Sequence, residues 1–376
     1  KTAVYLYKEF TDNPDKRFRG SDYYLAALYN TAASNYKAFD YKSAVDGYLT
    51  VVKVAGEKGR KVPPTFELSL EELRLTALYN AAVIRELDRV YLDPKGAPGT
   101  GAVSLYKKYE SMEKDRRKKD RAAWAIARIW DSAGDVNKLA AAYNDWRKKY
   151  GRDQGNADDY VYSYWNLAKQ YEKKGKKSDA NKMKKATIQA WSTVGQPKGT
   201  AASDMAAEFE FEQAEAHYNG KFVPYKIKKA LTTKKQAEQT LDALDKLSNQ
   251  TREKYLALAK YQSGPWGLAA LVRVGDVFYF QALKIAEIPI PKEIEKLDMQ
   301  HPDKGILAQY MEVLQNLVKP LEDQAKTQWI KVSDTGKAQG IANEWTQLAQ
   351  ERLHDFISQE QFPVQRASLK EGTEKP

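Results

Sequence analysis

The stretch Ala27 to Val52, ALYNTAASNYKAFDYKSAVDGYLTVV, constrains this chain more than any other. It reads as two short amphipathic helices joined by a tight turn. Leu28, Ala32 and Asn35-Tyr36 share one side of the first helix at three- and four-residue spacing; after the turn at Asp40-Tyr41, Ala44, Tyr48 and Val51 do the same in the second. Ala32 and Ala44 fall where the two helices would cross. Side chains that small let the axes approach while Leu28, Tyr48 and Val51 fill the space beside them. A lone hairpin of this size cannot bury its apolar face, so the pattern makes sense only if further hairpins stack on it.

Further hairpins follow. Ala77-Leu78-Tyr79-Asn80-Ala81-Ala82 repeats Ala27-Leu28-Tyr29-Asn30-Thr31-Ala32 almost letter for letter. Its second helix is delayed by an insert, Asp93 to Gly101 (DPKGAPGTG), after which Ala102 and Tyr106 restore a small residue followed by an aromatic four later. Tyr164-Trp165-Asn166-Leu167-Ala168, with Tyr171, Gly175 and Ala180, is the clearest copy; Ala127 and Trp130, Gly134-Asp135, Leu139 and Tyr143 form a degenerate one. The pattern resembles the tetratricopeptide repeat family, whose helix-turn-helix unit is about 34 residues long. The resemblance covers residues 1 to about 190 and implies an all-α, TPR-like solenoid, a superhelix of helix-turn-helix units. Ala32, Ala82, Ala127 and Ala168 stand where that family often has Gly, and the proline that often ends a unit is missing after Val51 and Tyr109.

Taken in order, residues 1–20 read as the second helix of a preceding unit: Ala3, Tyr7 and Phe10, then Asn13-Pro14 as its terminating proline. Its first helix is absent, so the chain is expected to be the C-terminal piece of a longer protein, or a processed product. Residues 21–200 hold the repeats, with the inserted loop at 93–101. Residues 201–262 read as a helical hairpin with a long charged helix over Leu231 to Tyr261, after a break at Gly220 to Pro224. Residues 263–358 read as degenerate helical repeats: Trp266 to Ile288, where Gly275 predicts close helix packing, an extended connector through Pro289 and Pro291, then helices over 304–331 and 337–358. Pro320 is expected to kink or split the first of that last pair. Residues 359–376, polar and ending KEGTEKP, are expected to be a disordered tail.

The second half carries a further resemblance. Ala269-Ala270 to Gly275-Asp276, Pro289 and Pro291, Pro320-Leu321-Glu322 and Asn343-Glu344-Trp345-Thr346 resemble the C-terminal region of large repeat proteins in delta-proteobacterial envelopes, including gliding-motility complexes. That resemblance implies a periplasmic scaffold coupling other envelope proteins, although nothing in the sequence excludes the cytoplasm.

Catalytic chemistry finds no constellation in the sequence, and the chain is expected not to be an enzyme and to need no cofactor. Zero cysteines exclude disulfides and thiolate chemistry. His217, His301 and His354 are far apart and belong to no HExxH-type metal pair. The loop Gly96 to Gly101 ends where a helix begins, but it lacks the Lys-Ser/Thr of a phosphate-binding loop and no strand precedes it. Glu208, Glu210, Glu212 and Glu215 alternate around their helix, which predicts a solvated face rather than a metal site. No run reaches eighteen apolar residues, so no transmembrane helix is expected.

What the sequence offers is surface. The formal net charge is +11, with basic runs at Lys114 to Arg121, Lys173 to Lys177, Lys182 to Lys185 and Lys226 to Lys235. Such runs are ordinarily solvated helix faces; together they would also give a positive field that speeds encounter with acidic partners. An aromatic-Asn pair recurs in three first helices, Tyr29-Asn30, Tyr79-Asn80 and Trp165-Asn166. In the resembling family first helices line a groove that holds extended peptides, which makes these six residues, with Lys37, Lys169 and Lys173 nearby, the candidate partner-binding set. An aromatic supplies contact area and an amide can fix a peptide backbone or terminal carboxylate. The other reading is that the aromatics pack between repeats. The expected partners are proteins with acidic or extended segments, not small-molecule substrates. An anionic polymer, peptidoglycan or nucleic acid, is the alternative, and nucleic acid has no supporting motif.

Overall fold

One turn, made six times in the same way among the described residues, organises the chain. At each of six helix junctions a backbone amide reaches back five residues to a helix carbonyl: Asp40 to Asn35 (2.9 Å), Val90 to Arg85 (2.8 Å), Asp135 to Trp130 (3.2 Å), Lys176 to Tyr171 (2.9 Å), Gln196 to Trp191 (3.1 Å) and Ile341 to Gly336 (2.9 Å). The residue before each of these amides is left-handed. In the last four junctions that residue is glycine, Gly134 (φ 68°), Gly175 (φ 71°), Gly195 (φ 86°) and Gly340 (φ 65°); in the first two it is Phe39 (φ 62°) and Arg89 (φ 57°), whose side chains make the conformation strained.

The computed structural model describes residues 2–13 and 16–356. The expected terminating proline at 14 and the tail at 359–376 lie outside the described residues. Among the described residues every regular element is helical and there is no strand. The chain divides into two compact units, residues 1–153 and 154–376.

The first unit holds α1 (Thr2–Thr11), α2 (Lys16–Gly20), α3 (Tyr23–Lys37), α4 (Tyr41–Ala55), α5 (Leu70–Leu87), α6 (Ala102–Met112), α7 (Arg116–Ser132) and α8 (Val136–Lys149). From α3 to α8 each helix packs against the next, and α1 packs on α3. Short polar side chains start four of these helices. The Asp40 carboxylate accepts the Ser43 amide before α4, Ser69 and Glu72 form a reciprocal cap before α5, and Asp115 and Asp135 cap α7 and α8. Ala32 and Ala44 are fully buried between α3 and α4, and a β-carbon built on Gly47 would come within 2.9 Å of that of Ala32. Small residues thus do set a close approach, although Leu28 is only half-buried.

The insert at 93–101 is stapled by its own first residue. The Asp93 carboxylate accepts the amides of Gly99 and Gly101, both at 2.8 Å, and these bonds hold its pKa below the ordinary carboxylate value. The amides of Ala102 and Val103 then donate to the carbonyls of Val90 and Tyr91 at 2.9 and 3.1 Å. The chain therefore re-enters α6 beside the point where it left α5. Gly101 has no room for a side chain: a β-carbon there would lie 2.3 Å from the Leu92 carbonyl carbon.

The second unit holds α9 (Ala157–Lys173), α10 (Lys177–Thr193), α11 (Ala201–His217) with a π-helical turn over Tyr218–Phe222, and α12 (Lys234–Leu256) with a 3-10 turn over Ala257–Tyr261. Then come α13 (Gly264–Ala286), α14 (Lys292–Gln300), α15 (Ile306–Gln339) and α16 (Glu344–Phe356). α11 packs on both α9 and α10, α13 packs on α15, and α16 closes against both of these. Their core gathers Leu268, Val272, Trp329, Val332 and Leu353. Gly275 brings α13 against Trp329, since a β-carbon there would meet the indole at 2.5 Å.

Two expectations need correction and a third is narrowed. Of the kink or split expected at Pro320, the split does not occur: α15 runs unbroken for 34 residues. The carbonyl that loses its partner to the proline ring belongs to Asn316, which is exposed, so water can take the place of the missing amide. The charged helix begins at Lys234, capped by Thr233, rather than at Leu231, and ends at Leu256. A short helix, α14, follows the proline connector where none was expected. Among the described residues no helix is long and apolar enough to cross a membrane.

Candidate functional site

In the first unit, residues singled out from the sequence meet at the α3–α5 junction. Tyr29 on α3 packs edge-on against Tyr48 of α4 (ring centroids 5.6 Å) and Phe66 of the following loop (6.2 Å). The Asn80 side chain, one turn into the next copy of the repeat, hydrogen-bonds both Tyr29 and Tyr48. Burial raises the pKa of both phenols, that of Tyr48 to about 12, and both hydroxyls stay neutral at physiological pH. Tyr79 packs against Tyr106 (5.8 Å) and Tyr109 (5.1 Å) of α6. The Tyr106 hydroxyl donates to Glu86 at 2.7 Å, and Glu86 in turn receives Arg128 of α7 through two bonds of 2.8 and 3.0 Å, so three successive helices share one carboxylate. Asn30 is half-buried and Lys37, at the end of α3, is exposed.

The second unit uses the same positions with other chemistry. Trp165 of α9 donates its indole N–H to Glu208 of α11 at 2.6 Å, and Lys169, one turn on, reaches the same carboxylate at 2.5 Å. Lys169 also lies 5.0 Å from the centre of the Phe209 ring. Lys184 of α10 pairs with both Glu172 and Glu212, closing a network across α9, α10 and α11. Asn166 is buried, and Lys173 is exposed at the end of α9.

The four glutamates of α11 are not a solvated face. Glu208 and Glu212 hold α9 and α10; Glu210 receives Lys260 at 2.8 Å and the Tyr261 hydroxyl; Glu215 receives the Tyr255 hydroxyl at 2.5 Å and Arg273 of α13 at 2.8 Å. Their spacing carried the signal. Residues 208, 212 and 215 are separated by four and three, which is one helix face, and only Glu210 lies opposite. Beyond α11, Asp276 is wholly buried and bonded to Arg273 (2.9 Å) and Arg352 of α16 (3.1 Å); burial nonetheless pushes its pKa up.

One feature of the first unit escaped the sequence reading altogether. α6 and α8 both pack on α7, and between them lies a trough of about 930 Å³ with α7 as its base. Val103, Ala123, Ile126 and Trp130 form an apolar floor, and Lys107, Lys119, Lys138 and Lys149 stand around it. Only tertiary packing brings these residues together. They come from three helices, and the base belongs to the copy whose repeat pattern is most degraded. Among the described residues no cluster of His, Asp or Glu side chains could hold a metal ion.

No protein-family model matches the chain. No curated protein matches it either.

Proposed function

We propose that this chain is a non-enzymatic scaffold of tetratricopeptide-like hairpins that holds segments of other proteins. The observation that supports it is the turn made six times with one hydrogen-bond pattern, each joining two helices that pack on one another. Such stacks present extended faces of side chains rather than a single reactive cleft. In this reading the half-exposed edges of Tyr29, Tyr79 and Trp165, with Asn30 and Asn80 beside them, form the contact surface, Asn166 is buried and stays out of it, and Lys37 and Lys173 add exposed charge. Lys169 contributes through the junction it forms with Glu208. The resemblance of the second half to envelope repeat proteins supports a periplasmic setting within a multiprotein complex, of which a motility machine is one kind.

Crosslinking mass spectrometry in native cells tests the proposal. Crosslinks from Lys37 and Lys173 to one acidic or extended partner segment are the expected result. Crosslinks confined to the chain itself would overturn it.

One observation favours a second reading, an anionic-polymer binder. Lys173, Lys174, Lys176 and Lys177 at the α9–α10 turn are all exposed, as are Lys182 and Lys185. Binding through them to peptidoglycan or nucleic acid would weaken steeply with added salt, whereas seating of a peptide against aromatic edges would depend on salt much less.

A further inference from the structure

The trough over α7 is a built groove with a polarity of its own. One end is closed: the Glu110 carboxylate of α6 accepts the Tyr150 hydroxyl at 2.8 Å and Lys149 of α8 at 3.0 Å, bridging the two walls. The other end is marked by Trp130, with the Lys138 ammonium 4.5 Å from its ring centre, and by Leu92, which leads into the insert and is 58% exposed.

Charge decides what fits. Four lysines line the trough against two carboxylates, Glu110 and Asp145, and Lys149 engages both of these. Lys138 pairs with Asp135 outside the trough. Lys107 and Lys119 have no carboxylate within ion-pair distance among the described residues, so the rim carries uncompensated positive charge over an apolar floor. From Lys119 to Trp130 the α7 base runs roughly 16 Å at 1.5 Å per residue, which matches about five residues of extended chain at 3.3 Å each.

We propose that this trough binds an extended segment of a partner protein in which acidic residues alternate with aliphatic ones. The aliphatic side chains seat on Val103, Ala123, Ile126 and Trp130, and the carboxylates meet Lys107, Lys119 and Lys138. This rests on the scaffold reading and gives it a site separate from the first-helix aromatics.

The test uses the full chain and a fluorescein-labelled seven-residue peptide alternating aspartate and leucine, with lysine/leucine and serine/leucine peptides as comparisons, read by fluorescence anisotropy. The acidic peptide should bind at least about tenfold more tightly than the lysine peptide, since like charges at a rim suppress binding. Lys107→Glu with Lys119→Glu, on the rim where folding is little affected, should weaken the acidic peptide at least about tenfold and reverse the preference. Ala141→Trp, at an exposed alanine of the wall, should block all three peptides while the helical circular dichroism stays unchanged. Equal binding of acidic and basic peptides, a charge-reversal effect under about twofold, or palmitate binding where no peptide does would each overturn the proposal. Partner crosslinks in cells that persist in the charge-reversed variant would overturn the trough alone; a wild-type chain that crosslinks to no protein would bring down the scaffold reading with it.

Discussion

At the α3–α5 junction the repeated aromatic, Tyr29, meets a neutral amide, Asn80; at the α9–α11 junction its counterpart, Trp165, meets a carboxylate, Glu208, shared with Lys169. The turns differ in the same direction. The first hairpin forces Phe39 into a left-handed conformation, whereas the α9–α10 hairpin places Gly175 there. One helical plan is therefore joined by uncharged hydroxyl-amide bonds and a strained turn in one region, and by a charged network and a relaxed turn in the other. A repeat position fixes where a junction residue sits and leaves its chemistry open.

The difference can be broken or sharpened by experiment. The largest effect is expected at the crossing that the α9–α10 hairpin shares with the others. Ala168 is fully buried, and Ala168→Trp should cost about 3 kcal/mol or more through overpacking, read as a drop in the unfolding midpoint. An unchanged midpoint would mean that small residues do not set the helix approach there. Next comes Glu208→Ala, which leaves the Trp165 indole and Lys169 without their shared acceptor; about 2 kcal/mol is expected, with hydrogen-exchange protection lost first in α9 and α11.

At the neutral junction the corresponding change is milder. Asn80→Ala removes one partner from Tyr29 and Tyr48 and should cost about 1 kcal/mol, confined by exchange to α3, α4 and α5. If it cost as much as Glu208→Ala, the contrast between the junctions would collapse. Phe39→Gly should act the other way, stabilising by somewhat under about 1 kcal/mol, because Phe39 is 78% exposed and its backbone is left-handed. The same replacement at Arg89 is expected to behave alike.

The smallest effect at neutral pH belongs to Tyr48. Its folded pKa, raised to about 12 from the ordinary 10.0, lies above the unfolded one, so the stability tied to the neutral phenol is fully present below about pH 10 and is lost as pH rises through 12. A difference titration of tyrosinate absorbance between wild type and Tyr48→Phe should show a step near pH 12. A step near 10 would show that the α3–α4 interface admits solvent.

Much of the helical plan was legible from residues. Ala32, Ala44 and Ala168 mark crossings because only small side chains fit there, and Gly134 and Gly175 announce turns through backbone freedom. Phe39 and Arg89 hid the same turn in the first two hairpins, since nothing local favours a left-handed phenylalanine or arginine; the packing of the helices on either side imposes it. Of the candidate residues, Tyr29 and Asn80 come together, as do Trp165 and Lys169. Lys37 and Lys173 stand exposed at helix ends. The acceptors of the second unit were misread because alternation along the sequence of α11 drew attention away from the shared face of residues 208, 212 and 215. The trough was illegible for a simpler reason: its walls and base are three separate helices, and no periodicity within one helix encodes what its neighbours leave uncovered.

The stapled insert has a consequence for how such a chain can change. Asp93 and Gly101 fix the two mouths of the loop, and Ala102 and Val103 bond back to Val90 and Tyr91, so α5 and α6 register against each other without reference to what lies between. Residues 94–98 are then a replaceable cassette. Their length and sequence can drift, or be exchanged for a foreign peptide, while the hairpin on either side keeps its geometry.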